Sequence, residues 1–196
     1  MGISTWVGIG ICILFIMWAI SIYNSLVTNK KRYENAFHQI DVQLERRHDL
    51  IPNLVASCKG YMDHEKETLE NVMAARQGAV SARQAVSQNP GSTDALKGLM
   101  GAESILGEAL GRLLAVSENY PDLKANTNVS QLMEELTSTE NKIAFARQAF
   151  NDAVTKFNIL RAKFPNVIVS GATGFSEAPL YELEDVQKRQ AVKVSF

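Results

Sequence analysis

The first part of the chain lacks charge. No Asp, Glu, Lys, Arg or His precedes Lys30, and residues 3–22 contain about ten Ile, Val, Leu and Phe. A helix of about 20 such residues rises roughly 30 Å, which is the thickness of bilayer hydrocarbon. At about −0.3 to −0.6 kcal/mol each, these side chains favour insertion by roughly 3 to 6 kcal/mol. Trp6 and Tyr23 lie near the two ends, where amphipathic rings prefer the membrane–water boundary. The absence of charge therefore predicts a transmembrane helix.

Features of a cleaved or lipidated leader are also missing. A secretory signal peptide carries basic residues before its apolar run and small residues at its cleavage site. This N-terminus has no basic side chain, and Ser21-Ile22-Tyr23 is a poor cleavage site. Cys12 lies in the middle of the apolar run, and no cysteine near position 22 is available for a lipid. We therefore expect the apolar helix to be retained.

The first basic residues follow the apolar run directly. Lys30, Lys31 and Arg32 lie just past it, whereas the other flank has no basic side chain. The positive-inside rule then predicts that the N-terminus is outside and that the bulk of the chain is cytoplasmic. The same three cations can also hold anionic lipid headgroups, at about 1 kcal/mol per charge. The alternative is that they set the topology and do nothing more.

Other absences limit the function of the remaining residues. The 20 basic and 21 acidic residues nearly balance and form no long basic block, so no nucleic-acid surface is expected. His64-Glu65 begins like a zinc-protease helix, but Thr68 stands where the second His would be. The histidines have no cysteine partners at metal spacing, and the chain has no nucleophile elbow and no phosphate-binding loop. We therefore expect a non-enzymatic protein without a metal or cofactor, and read Cys58 as a core residue.

What the sequence does contain is helical periodicity. Four stretches carry apolar residues every three or four positions, which is typical of helices packed along one face. The first continues the apolar run as far as Leu44. The second is predicted to begin at Asp49, a candidate N-cap, with Pro52 in its first turn. The alternative is one long helix kinked at Pro52.

The third and fourth stretches follow a break at residues 89–92. Ser92 or Thr93 can cap the third stretch, whose four glycines indicate either close approach to a neighbour or a weaker helix. The fourth has the clearest apolar stripe, and Pro165 ends it. Beyond it, short alternating runs at Val167 and Val169, and again near the C-terminus, predict an extended tail.

Several polar residues lie beside the apolar stripes. Glu140 and Arg147 are two helical turns apart and share a face, as do Asn151 and Asn158. Such residues form either a surface that a partner recognises or an internal network that fixes helix register. We expect Glu140, Arg147 and Asp49 to be structural, and the neighbours Arg46 and Arg47 to be partly exposed for contact. The candidate interaction or polar-network residues are Arg46, Arg47, Asp49, His64, Glu65, Glu140, Arg147, Asn151 and Asn158.

Longer motifs resemble those of a known family. They include Ile40-Asp41-Val42-Gln43-Leu44-Glu45-Arg46-Arg47-His48-Asp49-Leu50-Ile51-Pro52-Asn53-Leu54-Val55, Glu118-Asn119-Tyr120-Pro121-Asp122-Leu123-Lys124-Ala125 and Glu140-Asn141-Lys142-Ile143-Ala144. Shorter matches are Tyr23 to Val27, Lys59-Gly60-Tyr61, His64-Glu65, Ala146-Arg147, Asn151, Asn158 and Phe164-Pro165. In this order the chain resembles the LemA family of bacterial membrane proteins over nearly its whole length. One departure is Phe150, where the family usually has Tyr.

The resemblance adds expectations about architecture and function. It implies a four-helix bundle on a short membrane anchor. Together with the patterns above, this predicts an all-α protein in the bacterial inner membrane: a transmembrane helix over residues 1–23, an antiparallel four-helix bundle over 24–165 and an extended tail over 166–196. It implies no known enzymatic activity and no cofactor. One branch is similar to magnetosome-associated proteins, which points to membrane organisation. We expect an interaction or scaffolding module whose partners are the lipid bilayer, further copies of itself and other membrane proteins. The alternatives are an accessory subunit of a membrane protease or other membrane enzyme, and a pore, for which the apolar run has too few polar residues.

Overall fold

The protein is built from helices. The computed structural model describes residues 2–88 and 92–182, and within them it has no strand, so the all-α prediction is confirmed. By packing, described residues 2–46 and 137–180 form a first compact unit, and 47–136 with 181–182 form a second. The helices are α1 (Ile3–Lys59), α2 (Lys66–Gln88), α3 (Thr93–Ser117), α4 (Pro121–Ala125), α5 (Thr127–Ala162) and α6 (Asn166–Thr173).

Helix α1 is continuous over 57 residues and contains Pro52. The prediction of a new helix at Asp49 is therefore wrong, and Asp49 is an exposed residue within α1, not a cap. The reason is that buried side chains keep their spacing of three and four on both sides of the proline, at Leu44, Arg47, Ile51, Leu54 and Cys58. The helix ends instead before Gly60, where the N–H groups of Tyr61 and Met62 both donate to the Cys58 carbonyl at 3.0 Å.

The N-terminal part of α1 packs against nothing in the described structure. All described side chains from Gly2 to Ser21 except Ala19 are exposed, and the exposed fraction is 62% at Ile11 and 65% at Phe15. Burial begins at Ile22 and Leu26. Among the described residues, α1 is the one helix whose length and composition suit a membrane span.

The first unit is held by aromatic packing between α1 and α5. The ring centroids of Phe157 and Tyr33 lie 5.2 Å apart, and those of Phe150 and Phe37 lie 5.7 Å apart. Phe175, which follows α6, lies 6.2 Å from Phe157 and 5.7 Å from Tyr23. Burial raises the pKa of Tyr33, and the neighbouring Glu34 adds to the shift, so the phenol stays neutral within this cluster.

The prediction of an extended tail is wrong for the first residues of that segment, which form α6. Asn166 donates to the carbonyl of Leu160 at 2.9 Å, and Ser170 donates to that of Arg161 at 3.2 Å, so the new helix is tied to the end of α5. The predicted alternation at Val167 and Val169 therefore falls on a helix. Gly174 ends it at a φ of 76°, a conformation in which glycine lacks the steric penalty of other residues. The alternation near Phe196 lies outside the described residues.

After α6 the chain runs without helix alongside α5. Asn158 holds it: its side-chain amide donates to the carbonyl of Ala178 at 2.9 Å and accepts from the N–H of Ala178 at 3.0 Å. The side chain thus pairs with the Ala178 backbone in both directions. Ala178 is buried, so its polar groups need these partners.

The second unit has one apolar core to which α1, α2, α3, α4 and the first part of α5 contribute, and α2 packs along α3. Ser92 caps α3 as predicted, accepting from the N–H of Ala95 at 3.2 Å. The close approach proposed for the α3 glycines is wrong, because a Cβ added to any of them would meet nothing within 4 Å. Those glycines are Gly98, Gly101, Gly107 and Gly111.

The aromatic cluster predicts a large energetic difference between two phenylalanines of α5. Phe157 is 1% exposed, and Phe157→Ala should lower the free energy of unfolding by about 3 to 5 kcal/mol through loss of packing. Phe145 is 74% exposed, and Phe145→Ala should change it by less than about 0.5 kcal/mol. Denaturant unfolding of the full-length protein in detergent, followed by circular dichroism, measures both. Equal losses in the two variants would contradict this packing.

Candidate functional site

Two charged residues occupy positions that would otherwise be apolar. On α1, Arg47 falls between buried Leu44 and Ile51 in the same stripe. On α3, Glu103 falls between buried Leu99 and Leu106, again at spacings of four and three. Both side chains are nearly inaccessible, with exposed fractions of 4% for Arg47 and 8% for Glu103. The second unit therefore has a charged pair within its helix-packing stripes.

The two side chains form part of a three-residue cluster. Arg47 makes an ion pair with one oxygen of the Glu103 carboxylate. The other oxygen lies 2.8 Å from Nε2 of His48, whose side chain is 3% exposed. A buried carboxylate is tolerated when its charge is balanced and its oxygens are bonded. Here both oxygens of Glu103 have cationic or hydrogen-bonding partners on α1.

A fourth residue, Arg76 of α2, completes the junction through the backbone. Proline has no N–H, so Pro52 cannot make the helical hydrogen bond to the carbonyl four residues earlier, which belongs to His48. Nε of Arg76 donates to that carbonyl at 2.6 Å. The guanidinium thereby replaces the donor that the proline removes. We call the set Arg47, His48, Pro52, Arg76 and Glu103 the polar junction.

The chemistry of the polar junction is structural. Its carboxylate is enclosed, with one oxygen beside His48 and the other in an ion pair with Arg47, which leaves it poorly placed to exchange protons with a substrate. Buried charges along a packing stripe instead penalise any shifted register, because a shift would leave them unpaired. The junction joins α1, α2 and α3 at one level and fixes how they align.

The structure separates the predicted residues near the end of α1. Arg46 is exposed, as expected, but the expectation of exposure is wrong for Arg47, which is 3% exposed because it lies on the buried face of α1. His64 is exposed in the turn before α2. Glu65 is half-buried there and accepts from the hydroxyl of Tyr120 at 3.4 Å. The predicted residues of this region thus differ in their burial and in the contacts that they make.

On α5 the predicted residues also differ in burial. Glu140 is exposed, while Arg147, Asn151 and Asn158 are half-buried. Asn158 binds the backbone of Ala178, so its role is to hold the segment that follows α6. That contact could not be predicted from the spacing of Asn151 and Asn158, because its partner is a backbone group 20 residues away.

The basic cluster after the apolar run is divided between two roles. Lys30 and Lys31 pair with Glu34 at 4.0 and 2.7 Å, as exposed pairs of little energetic weight. Arg32 instead lines an open cleft of about 540 Å³ between α1 and α5. Lys156 and Lys163 of α5 line the same cleft, with Asp152 as its acidic residue. The first unit thus has a cleft with an excess of positive charge.

The metal-ligating and nucleophilic side chains of the described residues do not form a site. Among residues 2–88 and 92–182, no group of three His, Cys, Asp or Glu side chains could hold a metal ion. Burial raises the pKa of the Cys58 thiol, which disfavours the nucleophilic thiolate. Cys58 belongs to the core of the second unit, as predicted.

Glu103 and Arg76 were not recognised from the sequence, although each leaves a signal there. Leu99, Glu103 and Leu106 place a carboxylate in phase with an apolar stripe. Arg76 likewise falls between Val72 and Ala79 in the stripe of α2. A charge in phase with apolar neighbours indicates a buried partner, but the sequence does not say which residue that partner is.

Comparison with known proteins finds similarity over most of the chain. The LemA family profile matches residues 36–196. Magnetosome protein MamQ 2 of Paramagnetospirillum magneticum is 30% identical over 186 residues, covering 87% of this chain and 68% of that protein. Magnetosome protein MamQ of Magnetospirillum gryphiswaldense is 27% identical over 184 residues, covering 86% and 68%. Protein LemA of Metamycoplasma hominis is 27% identical over 154 residues, covering 74% of this chain and 66% of that protein.

The polar junction predicts that Arg76 and Pro52 are energetically coupled. Arg76→Met should cost about 1 to 3 kcal/mol, because the buried His48 carbonyl loses its donor. Pro52→Ala restores a backbone N–H, so in that background Arg76→Met should cost less, with a coupling of about 1 to 2 kcal/mol. Denaturant unfolding of the two single variants and the double variant measures the coupling.

A second arginine provides the control for this cycle. Arg112 is exposed on α3, and Arg112→Met should be additive with Pro52→Ala within about 0.5 kcal/mol. Additivity of Arg76→Met with Pro52→Ala would show that the guanidinium does not replace the missing donor.

Proposed function

Because the chain belongs to the LemA family, we propose that it is a membrane-anchored, non-enzymatic interaction module that self-associates at the cytoplasmic face of a bacterial inner membrane. The observation that carries the proposal is the N-terminal part of α1, whose apolar side chains are exposed on every side. A helix that is apolar all round belongs in a core or in a bilayer. In the described residues no core covers this one, and its length suits a bilayer.

The proposed organisation has three parts. Residues 1–23 form the anchor, and residues 24–165 form an antiparallel four-helix bundle with α1, α2, α3 and α5 as its helices. The long buried stripes of these helices support this proposal. The remainder, from Asn166 onward, begins with α6 and the segment that Asn158 holds.

The proposed orientation is cytoplasmic for all but the N-terminus. It rests on the cations Lys30, Lys31 and Arg32 after the apolar run and on the lack of basic residues before it. Two relatives are named magnetosome proteins, and their names describe no reaction. For this chain we take from them an attachment to a bacterial membrane system and no enzymatic activity. The enclosed carboxylate of Glu103 supports the same view.

Self-association is proposed through exposed apolar side chains of α5. Phe145 is 74% exposed and Ile159 is 49% exposed, and their spacing of about four helical turns places them on one face of the helix. Large exposed apolar side chains aligned on a helix are typical of contact surfaces. Confinement to a membrane also brings copies together at high local concentration. The second candidate is an accessory subunit of a membrane protease or another membrane enzyme, using the same face.

Photo-crosslinking in living cells tests which partner meets α5. A photoreactive phenylalanine analogue is placed at position 145 of the full-length protein, and crosslinked products are identified by mass spectrometry. We expect a product of twice the mass of the chain that contains this protein alone. The control places the analogue at Gln84, which is exposed on α2 in a largely polar stretch, and should give little of that product.

The outcomes distinguish the two candidates. A crosslink from position 145 to a membrane enzyme, without a self-crosslink, would replace self-association by the accessory-subunit function. Equal products from positions 145 and 84 would show that the α5 face is not a specific contact.

A further inference from the structure

A second apolar surface lies just beyond the C-terminal end of α5. Phe164, Val167 and Ile168 are 81%, 45% and 63% exposed, respectively. They belong to α6 and the residue two positions before it, and α6 has no charged side chain. Three large apolar side chains within five positions form a patch in the first unit that the described residues leave exposed, and we call it the α6 patch.

The contacts of α5 place the α6 patch near the apolar end of α1. Phe150 contacts Phe37, Phe157 contacts Tyr33, and Lys163 lines the same cleft as Ser25. The contacts on α1 thus move toward its N-terminus as α5 proceeds toward its C-terminus. Phe164 follows Lys163 directly, so it lies beside the part of α1 where the apolar run ends.

The segment after α6 gives independent evidence that the α6 patch lies near the end of the apolar run. The ring of Phe175 lies 5.7 Å from that of Tyr23, the residue that follows the apolar run. Phe175 is also joined to α6 directly, because its N–H donates to the carbonyl of Ser170 at 3.1 Å. With a rise of about 1.5 Å per residue, Tyr23 and Ser25 both lie within a few ångströms of the end of the run at Ile22. The α6 patch therefore lies at the level where bilayer hydrocarbon would end.

The charges beside the patch favour a negatively charged lipid surface. Lys163 precedes Phe164, and Lys156 lies two turns earlier on α5. Both are exposed and line the cleft together with Arg32. Cations just outside an apolar insertion are the pattern of interfacial membrane contacts, in which apolar side chains enter by about 5 to 10 Å while the basic residues meet anionic headgroups.

We propose that the α6 patch is a second membrane contact, in which Phe164, Val167 and Ile168 enter the interfacial layer of the bilayer and Lys156 and Lys163 meet anionic phospholipid headgroups. This inference rests on the membrane attachment proposed above. Contact at two places would restrict the tilt and rotation of the first unit at the membrane surface, which a single helix leaves free. Lipid is the proposed contact of the α6 patch because the patch lies at the level where the apolar run ends and is flanked by cations.

The two tryptophans of the chain make the proposal measurable. Trp6 and Trp18 both lie in the apolar run, so the full-length protein with Trp6→Phe and Trp18→Phe has no other tryptophan. Phe164→Trp then reports on the α6 patch. The protein is reconstituted in phosphatidylcholine–phosphatidylglycerol vesicles, with and without lipids brominated near the ester end of their acyl chains. We expect the bromolipid to quench this tryptophan strongly, because a side chain in the interfacial layer contacts the brominated part of the acyl chains.

Phe145→Trp in the same background is the matched control. Phe145 has a similar exposure to Phe164 but lies on α5, about 19 residues earlier in the chain and so far from the α6 patch along that helix. Its fluorescence should be unaffected by bromolipid, whether position 145 faces water or a second copy of the chain. Ile168→Trp provides a second probe of the patch should Phe164→Trp reduce the helix content.

The lysines have a test of their own. With Phe164→Trp as the probe, quenching should be greater in vesicles containing phosphatidylglycerol than in phosphatidylcholine alone. Lys156→Gln with Lys163→Gln should remove that difference. Quenching that is the same in both lipids would overturn the role assigned to the two lysines.

Measurements on the unmodified protein distinguish a failure of this inference from a failure of the proposed membrane attachment. Trp6 and Trp18 should be quenched by bromolipid, and if they are not, the membrane attachment fails. If they are quenched while Trp at both 164 and 168 behaves like Trp at 145, only the second contact is overturned. Shielding of those probes from both bromolipid and acrylamide would also overturn it, because it would show that protein covers the patch.

Discussion

The hydrogen bond from Arg76 to the carbonyl of His48 is the interaction on which the second unit depends. Pro52 removes the helical donor to that carbonyl, and a proline inside a helix usually breaks or kinks it. Here a guanidinium from α2 supplies the donor, while Arg47 and His48 meet Glu103 of α3. One turn of α1 thereby contacts two other helices through polar groups. The stripe of buried side chains continues past the proline, and α1 stays continuous to Lys59.

The continuity of α1 matters because the helix has two kinds of surface. Its first part is apolar on all sides, and from Ile22 onward it has one buried stripe and one polar face. The first pattern suits lipid, and the second suits packing against other helices. Because no break lies between them, the proposed anchor passes directly into α1 of the first unit. The charges begin at Lys30, about two helical turns after that change, and lie on the exposed and half-exposed surface of α1.

The sequence predicts those features that depend on periodicity or on a local rule. The uncharged run, the Ser92 cap, the core position of Cys58 and the stripe of α5 all follow from residue type and spacing. The helix boundary at Asp49 was wrong because local cap and proline rules favour a start there, while packing on both sides of Pro52 favours continuity. The prediction of an extended tail is wrong at Val167 because three adjacent apolar residues suit a strand as well as a short helix. The helix is favoured by the hydrogen bonds that Asn166 and Ser170 make with α5, which the local sequence does not reveal.

The candidate site was predicted in part for a related reason. The motif around Arg46 to Asp49 drew attention to the correct turn of α1, but exposure was assigned to Arg47 without placing it in the stripe between Leu44 and Ile51. Its partner Glu103 is 56 positions away, and pairing at that distance depends on the fold. The α6 patch was not predicted either, since its level depends on how α5 packs on α1.

The central claim is that α1 anchors the chain in a bilayer, and alkaline carbonate extraction of cell membranes tests it most directly. Arginine near the centre of a span costs about 2.5 to 3.5 kcal/mol, so Ile11→Arg with Leu14→Arg should outweigh the roughly 3 to 6 kcal/mol that favours insertion. The control is Ile105→Arg with Leu114→Arg, at exposed positions of α3. We expect the unmodified protein and the control to stay with the membranes, and the variant in the apolar run to be released. Release of the unmodified protein, or retention of all three, would contradict the claim.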